Sequence, residues 1–235
     1  MTDETSEFIR PFPALTPAQR YHLDVFGYVV VENTLSTDEV GTLLEAMQQL
    51  QADLEAAGEG AFVRGCRFSA HHPHHSHLAH ILEAHPAIYD YLTHPRLVGL
   101  VEELVGGTVR LEESEAVINS RAPDSAWDGH YGFHTGTRVD IGTYVENGLY
   151  HCTFVKTLTN LTDLGPDDGG TVCIAGSHKI KVSREEIIAC AYEDRTLIHQ
   201  VVAPAGSTLL FGEALIHATG HLTSDCERVI VIGGY

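Results

Sequence analysis

Between residues 36 and 58 the apolar positions fall at helical spacing. Val40, Leu43, Leu44, Met47, Leu50 and Leu54 recur every three or four residues. Ser36 precedes that run and Glu39 follows three residues on, a capping box that predicts where the helix starts. Upstream, FGYVVVEN concentrates β-branched residues and reads as a short strand. HLAHILEAHPAIYDYLTHPRLVGLVEELVGG reads as two or three short helices, broken near Pro86 and Pro95 and stopped at Gly106-Gly107. Beyond Gly107 the period changes from that of a helix to that of a strand. TVRLEESEAVINS and GLYHCTFVKTLTNLTDL alternate, and TVCIAG, STLLFGEALIHATG and RVIVIGGY are further strands. GPDDGG is a turn, and SREEIIACAYED is the one helical patch in this half.

The pattern predicts a mainly β protein with flanking helices, a sandwich or barrel built from residues 108–235 with a mostly helical flank over 1–107. The length of 235 residues suits a single domain over 1–235, and 43% hydrophobic residues supply one sizeable core. No internal repeat is visible.

Charge narrows the partners. A formal net charge of -18 repels nucleic acid and anionic membranes, so neither is expected. Cys66, Cys152, Cys173, Cys190 and Cys226 are scattered, odd in number and without CxxC spacing. That argues against a disulfide framework or thiolate zinc site and for a reducing compartment. MTDETSEFIRPFPALT is acidic and lacks the apolar stretch of a secretory signal, and no apolar run approaches bilayer length. The expectation is a soluble cytoplasmic protein. The tract HHPHHSHLAH holds His71, His72, His74, His75, His77 and His80. Its plain reading is a polar loop leading into a helix, in preference to a metal depot.

The chemistry concentrates in the second half. HYGFHTGTRVD, residues 130–140, carries His130 and His134 with no carboxylate two residues after either. Residues i and i+2 of a strand share a face, so His134 and Gly136 point the same way. In LIHATG, His217 and Thr219 do likewise, and Arg228 follows His217 by eleven residues, within reach of an antiparallel return. Two imidazoles suit iron, and a guanidinium fork suits a carboxylate. Lys156 and Asn160 share a face of FVKTLTN and point either into the barrel, toward cosubstrate or substrate, or outward as ordinary polar positions. Trp127, Tyr131 and Phe133 line a substrate pocket or pack at a barrel rim. No nucleophile elbow, P-loop or dinucleotide fingerprint is present.

GPDDGGTVCIAGSHK, ALIHATGHLTSDCERVIVIGGY and HPRLVGLVEELVGG together resemble the phytanoyl-CoA dioxygenase family of Fe(II)/2-oxoglutarate oxygenases, and YHLDVFGYVVVENTLSTDEV resembles its opening segment. The resemblance spans roughly residues 20 to 235, and the spacing of His217, Thr219 and Arg228 is its most specific part. It implies a double-stranded β-helix, the jelly roll of cupin-like proteins. It also implies Fe(II), 2-oxoglutarate and O2 as cofactors, with His134 and His217 as iron ligands. Arg228, helped by Thr219, would hold the distal carboxylate of 2-oxoglutarate.

The departure is Gly136, where the family pattern places Asp. His-x-Gly resembles the related Fe(II)/2-oxoglutarate halogenases, in which chloride fills the open position, and on that reading Gly136 directs halogenation of an unactivated C–H bond. Three alternatives stand beside it. Another acid, Asp140, Asp128 or Glu213, completes the metal shell of a hydroxylase; water fills the gap; or the chain is a non-catalytic binding protein of this fold. The substrate is expected to be a small or carrier-bound molecule.

Overall fold

Thr16 and Ser36 open the first two helices by the same device. Each hydroxyl accepts from the backbone N–H three residues on, and the Gln19 or Glu39 side chain returns the bond. The computed structural model describes residues 15–123, 126–136, 142–146 and 148–235. Helix α1 (Pro17–Phe26) stops at Gly27, and β1 (Tyr28–Val31) leads to α2 (Thr37–Ala57), which buries Val40, Leu43, Met47, Leu50 and Leu54 as its spacing predicts. Helices α3 (Pro86–Leu92) and α4 (Pro95–Val105) follow. Pro86 and Pro95 do not break helices; each stands in the first turn of one, where the missing N–H costs nothing and φ is already helical. Helix α4 ends at Gly106, whose φ of 78° is left-handed.

The histidine tract is not a loop leading into a helix. It forms a hairpin, β2 (Arg67–His72) and β3 (His75–Ala79), with His72 paired to His75 across the turn. Ser76 and Leu78 are buried on one face, while His75 and His77 occupy the other. The period of two was hidden because polar histidines took the place of apolar residues on one side. The N-terminal flank is therefore less helical than its composition implies, since β1, β2 and β3 all join the large sheet.

Later strands are β4 (Glu113–Asn119), β5 (Thr143–Glu146), β6 (Leu149–Cys152), β7 (Val155–Asn160) and β8 (Val172–Ile174); all but β5, which no pattern marked, fall where the sequence predicts a strand. Helix α5 (Arg184–Glu193) precedes β9 (Ile198–Gln200), β10 (Thr208–Gly212), β11 (His217–Ala218) and β12 (Arg228–Gly234). Among the described residues, a seven-stranded antiparallel sheet has the order β1-β10-β7-β12-β4-β3-β2, and a three-stranded sheet the order β11-β8-β9. A single bridge between His134 and His217 adds a fourth row to the smaller sheet.

The large sheet buries both faces. Val29, Ala116, Ile118, Leu210, Val229 and Val231 pack with the apolar stripes of α2, α3 and α4. Leu158, Leu209, Phe211 and Ile230 point the other way and cluster with Cys173 of β8 and Leu215. The second face is the one that matters for chemistry. Register places Phe211, Lys156, Gly234 and Glu113 in one row of it, and Arg228, Asn119 and His75 in another. No helix among the described residues is long and apolar enough to cross a membrane. All five cysteines are free; Cys66, Cys152 and Cys173 are buried.

Candidate active site

His217 begins β11, immediately after the chain turns out of β10 at Glu213-Ala214. Its ring lies 4.3 Å from that of His134, centroid to centroid. Reciprocal backbone bonds hold the pair together, His134 N–H to His217 O at 2.9 Å and His217 N–H to His134 O at 3.0 Å. Phe211 packs against the His217 ring at 4.5 Å. Each imidazole is also pinned through Nδ1, which sits 2.9 Å from Leu215 O in His217 and 3.0 Å from Gly132 O in His134. A carbonyl only accepts, so each Nδ1 carries the proton and each Nε2 presents a lone pair. That orientation, fixed by the bond on the far nitrogen, is what a metal-binding histidine needs. His217 is buried, and burial pushes its pKa down to about 3, with the neighbouring His134 adding to the effect. It stays neutral and able to bind metal across the physiological range.

Arg228 is 3% exposed. Its Nη1 donates to Asn119 Oδ1 at 2.8 Å and its Nη2 to Thr171 Oγ1 at 3.2 Å, while Nε is buried without a partner. Burial pulls its pKa down to about 10, which leaves it charged at neutral pH. No acidic side chain among the described residues pairs with it, so the buried charge is uncompensated. Arg228 does not sit in a hairpin with β11, because β11 and β12 belong to different sheets. Its guanidinium crosses the interior to reach Thr171, two residues before Cys173, the partner of His217 in the ladder. Two residues of strand amount to ~7 Å, a span that suits a five-carbon dicarboxylate between the imidazoles and the guanidinium.

Other expected residues divide. Lys156 points into the interior, where Glu113 pairs with it and Glu213 Oε1 lies 3.9 Å away. Burial lowers the Lys156 pKa, against the pull of Glu213. Asn160, on the same strand face, is spent on structure: its amide donates to Thr162 O, Ala203 O and Pro204 O. Thr219 lies exposed one residue past β11, and the hydroxyl that reaches Arg228 is that of Thr171. Asp128 and His130 face each other in the solvent, 3.6 Å apart, away from the paired imidazoles. Asp140 lies outside the described residues. Trp127 stacks on His221 at 4.2 Å and contacts Tyr131, and Phe133 meets Tyr192 of α5, so the aromatic group packs its loop against neighbouring segments.

Gly136 does not face an empty corner. Glu213 fills it, with the Gly136 N–H donating to Glu213 O at 2.9 Å. Burial raises the Glu213 pKa, and the nearby Lys156 and His134 pull it back. Among the described residues, no three His, Cys, Asp or Glu side chains close around one point. Glu213 is turned toward Gly136 and Lys156, with Oε1 buried and without a hydrogen-bond partner. A cavity of about 750 Å³ opens from this corner, lined in part by Gly136, Glu213, Glu113, Thr153, Phe154 and Tyr235.

Sequence reasoning missed Asn119, Thr171 and the Glu115–His77 pair, whose atoms lie 3.1 Å apart. The alternation of ESEAVIN was the available signal, since it sets Glu113, Glu115 and Asn119 on one face.

Residues 23–230 match the phytanoyl-CoA dioxygenase (PhyH) family. The chain belongs to that family. It is an enzyme of the Fe(II)/2-oxoglutarate-dependent dioxygenase superfamily. A search of curated proteins gives no match. Among solved structures, HygX from Streptomyces hygroscopicus with nickel and 2-oxoglutarate bound is similar at 21% identity and a TM-score of 0.73, over 94% of this chain and 86% of that one. AviO1 from Streptomyces viridochromogenes Tue57 is similar at 17% identity and a TM-score of 0.71, over 93% of each chain. The carbocyclase SnoK from nogalamycin biosynthesis is similar at 18% identity and a TM-score of 0.68, over 94% of this chain and 83% of that one. At these identities the likeness is one of fold.

Burial of two histidines makes the metal-free PhyH protein acid-sensitive. His178, buried beside Tyr150, has its pKa lowered to about 4, and that of His217 is about 3. Both are depressed below the unfolded value, so below pH ~6.5 the unfolded chain takes up protons that the folded chain refuses. Stability should fall as the pH drops from about 6.5 to about 4, at up to about 1.4 kcal/mol per pH unit for each histidine. Urea unfolding of the metal-free protein at pH 7, 6 and 5 measures the slope, to which burial of His75 and His199 also contributes, and His178→Leu should make it shallower. A flat profile over that window would contradict the burial argument.

Proposed function

We propose that this chain oxygenates a C–H bond of a small organic molecule with Fe(II), 2-oxoglutarate and O2. His134 and His217 hold the iron, and Arg228 takes the distal carboxylate of 2-oxoglutarate. The two sheets are the halves of a double-stranded β-helix, with the His134 row, β11, β8 and β9 facing β10, β7, β12 and β4. The observation that carries the reading is the buried guanidinium of Arg228 with an orphaned Nε, ~7 Å along β8 from the level of His217. A buried charge without a partner is costly, and an anionic cosubstrate removes that cost.

Iron with 2-oxoglutarate supplies the oxidising power; the protein's part is placement. The Nδ1 bonds to Leu215 and Gly132 set the imidazoles, Asn119 and Thr171 hold the guanidinium plane, and Phe211 keeps the His217 side dry. Oxygenation is favoured over halogenation because the corner beside Gly136 holds a carboxylate rather than room for chloride. Among the described residues lining the cavity, Glu112, Glu113 and Glu213 outnumber Arg110. On a chain of net charge -18, that lining favours a neutral or cationic small molecule over a polyanionic acyl thioester. HygX has been solved with hygromycin B bound, which fits a small-molecule substrate.

Anaerobic addition of Fe(II) and then 2-oxoglutarate to the purified protein should produce a visible metal-to-ligand charge-transfer band. Chloride should leave the band unmoved, and admitting O2 should convert 2-oxoglutarate to succinate. Absence of the band would refute the cofactor reading, and a chloride-specific shift would restore the halide position.

A further inference from the structure

A β-carbon built on Gly136 would lie 2.6 Å from Glu213 Cβ and 2.9 Å from Glu213 Cδ, and closer still to Oε2. Gly136 has no left-handed φ, so the glycine is required for space and not for backbone conformation. Swinging the glutamate aside does not solve the conflict, because its Cβ moves only with the backbone. That backbone is tied at both ends, by Gly136 N–H to Glu213 O at 2.9 Å and by Glu213 N–H to Phe154 O at 3.3 Å. The two residues are therefore mutually exclusive in size: a side chain at 136 and the glutamate at 213 cannot both be present in this geometry.

The glutamate is poorly satisfied where it stands. Its Oε1 is buried and unbonded, and Lys156 Nζ at 3.9 Å is beyond hydrogen-bond range. Lys156 is already engaged by Glu113. A buried carboxylate oxygen left without a donor is costly, and a cation beside it is the direct remedy. The backbone brings two imidazoles close by: His217 follows Glu213 by four residues, and His134, bridged to His217, precedes Gly136 by two, although among the described residues no three such side chains yet close around one point.

We infer that the carboxylate partner of the metal in this protein is Glu213, on the turn between β10 and β11, and that Gly136 is the residue that admits it. The acid has been transferred from one side of the His134–His217 bridge to the other, so the site keeps two imidazoles and one carboxylate with a different donor. This inference rests on the iron reading above. Glu213 would be free to turn from the Lys156 side toward a bound metal, because no short hydrogen bond holds its Oε1.

The test is metal affinity, measured anaerobically by calorimetry with Fe(II) on the full chain, together with the charge-transfer band formed on adding 2-oxoglutarate. Glu213→Gln keeps the shape and removes the charge. It should weaken Fe(II) binding at least about tenfold, the scale on which even an outer-shell partner of a ligand acts. The melting temperature of the metal-free protein should change little. Gly136→Asp alone should bind metal poorly, because its Cβ collides with Glu213. The double variant Gly136→Asp/Glu213→Gly clears the collision and returns an acid to position 136, and should recover Fe(II) affinity above that of either Gly136→Asp or Glu213→Gln. Wild-type uptake of iron with Glu213→Gln undiminished overturns the assignment of Glu213 and leaves the cofactor reading standing. A wild-type chain that takes up no iron overturns both.

Discussion

Arg228→Met should abolish useful binding of 2-oxoglutarate while leaving Fe(II) binding in place. The guanidinium is buried, held in plane by Asn119 and Thr171, and has no acidic partner among the described residues. A charge-assisted bidentate contact to a carboxylate in such a site contributes about 2–3 kcal/mol, so the 2-oxoglutarate requirement should rise ~30- to 150-fold. Thermal unfolding provides a readout independent of turnover. With Fe(II) present and 2-oxoglutarate at one hundred times the wild-type dissociation constant, the wild type should gain about 2.7 kcal/mol, and Arg228→Met under the same conditions only about 0.3–0.9 kcal/mol. Equal stabilisation of the two proteins would mean that the cosubstrate is held elsewhere.

Phe211→Ala should be the most damaging single truncation near the site. Phe211 is fully buried in the centre of the inner face, in register with Tyr28 and Lys156, and packs on the His217 ring at 4.5 Å. Loss of a buried phenyl ring costs about 3–5 kcal/mol through lost transfer energy and the cavity left behind. Here the cavity would open beside an imidazole whose placement depends on that wall. Denaturant unfolding should show the loss of stability, and the folded fraction should also bind Fe(II) more weakly than wild type. A loss below about 1 kcal/mol would mean that the two sheets pack less closely than their contacts imply. Normal metal affinity in the folded fraction would mean that the reciprocal backbone bonds alone position His217.

Local pattern carried much of this architecture. The capping box at Ser36, the helical stripe of α2 and the alternation of β4, β7, β10 and β12 are decided by neighbours within a few residues, and each stands where its pattern places it. His134 and His217, singled out by strand period and family spacing, do lie side by side. The histidine tract was misjudged because β3 sets polar histidines on the face that looks toward Glu115 and Asn119, so no apolar alternation marked it as a strand. Arg228 is buried in the interior, but its surroundings were not legible. Its partners come from β4 and from the residue before β8, one 109 positions away in the chain and the other 57.

The fate of Gly136 lies at the same boundary. From the chain alone, a glycine two residues after a histidine means a missing side chain, and nothing local tells whether chloride, water or another acid replaces it. Glu213 is 77 residues further on, and it reaches that corner only because the His134–His217 bridge folds one strand end against the next turn. Sequence by itself determined the helices and most strands and singled out His134, His217 and Arg228 as candidates, since short-range periodicity and spacing are properties of the chain. Tertiary structure alone decided that Glu213 fills the space beside Gly136, because excluded volume at Gly136 exists only once the two sheets are closed on each other.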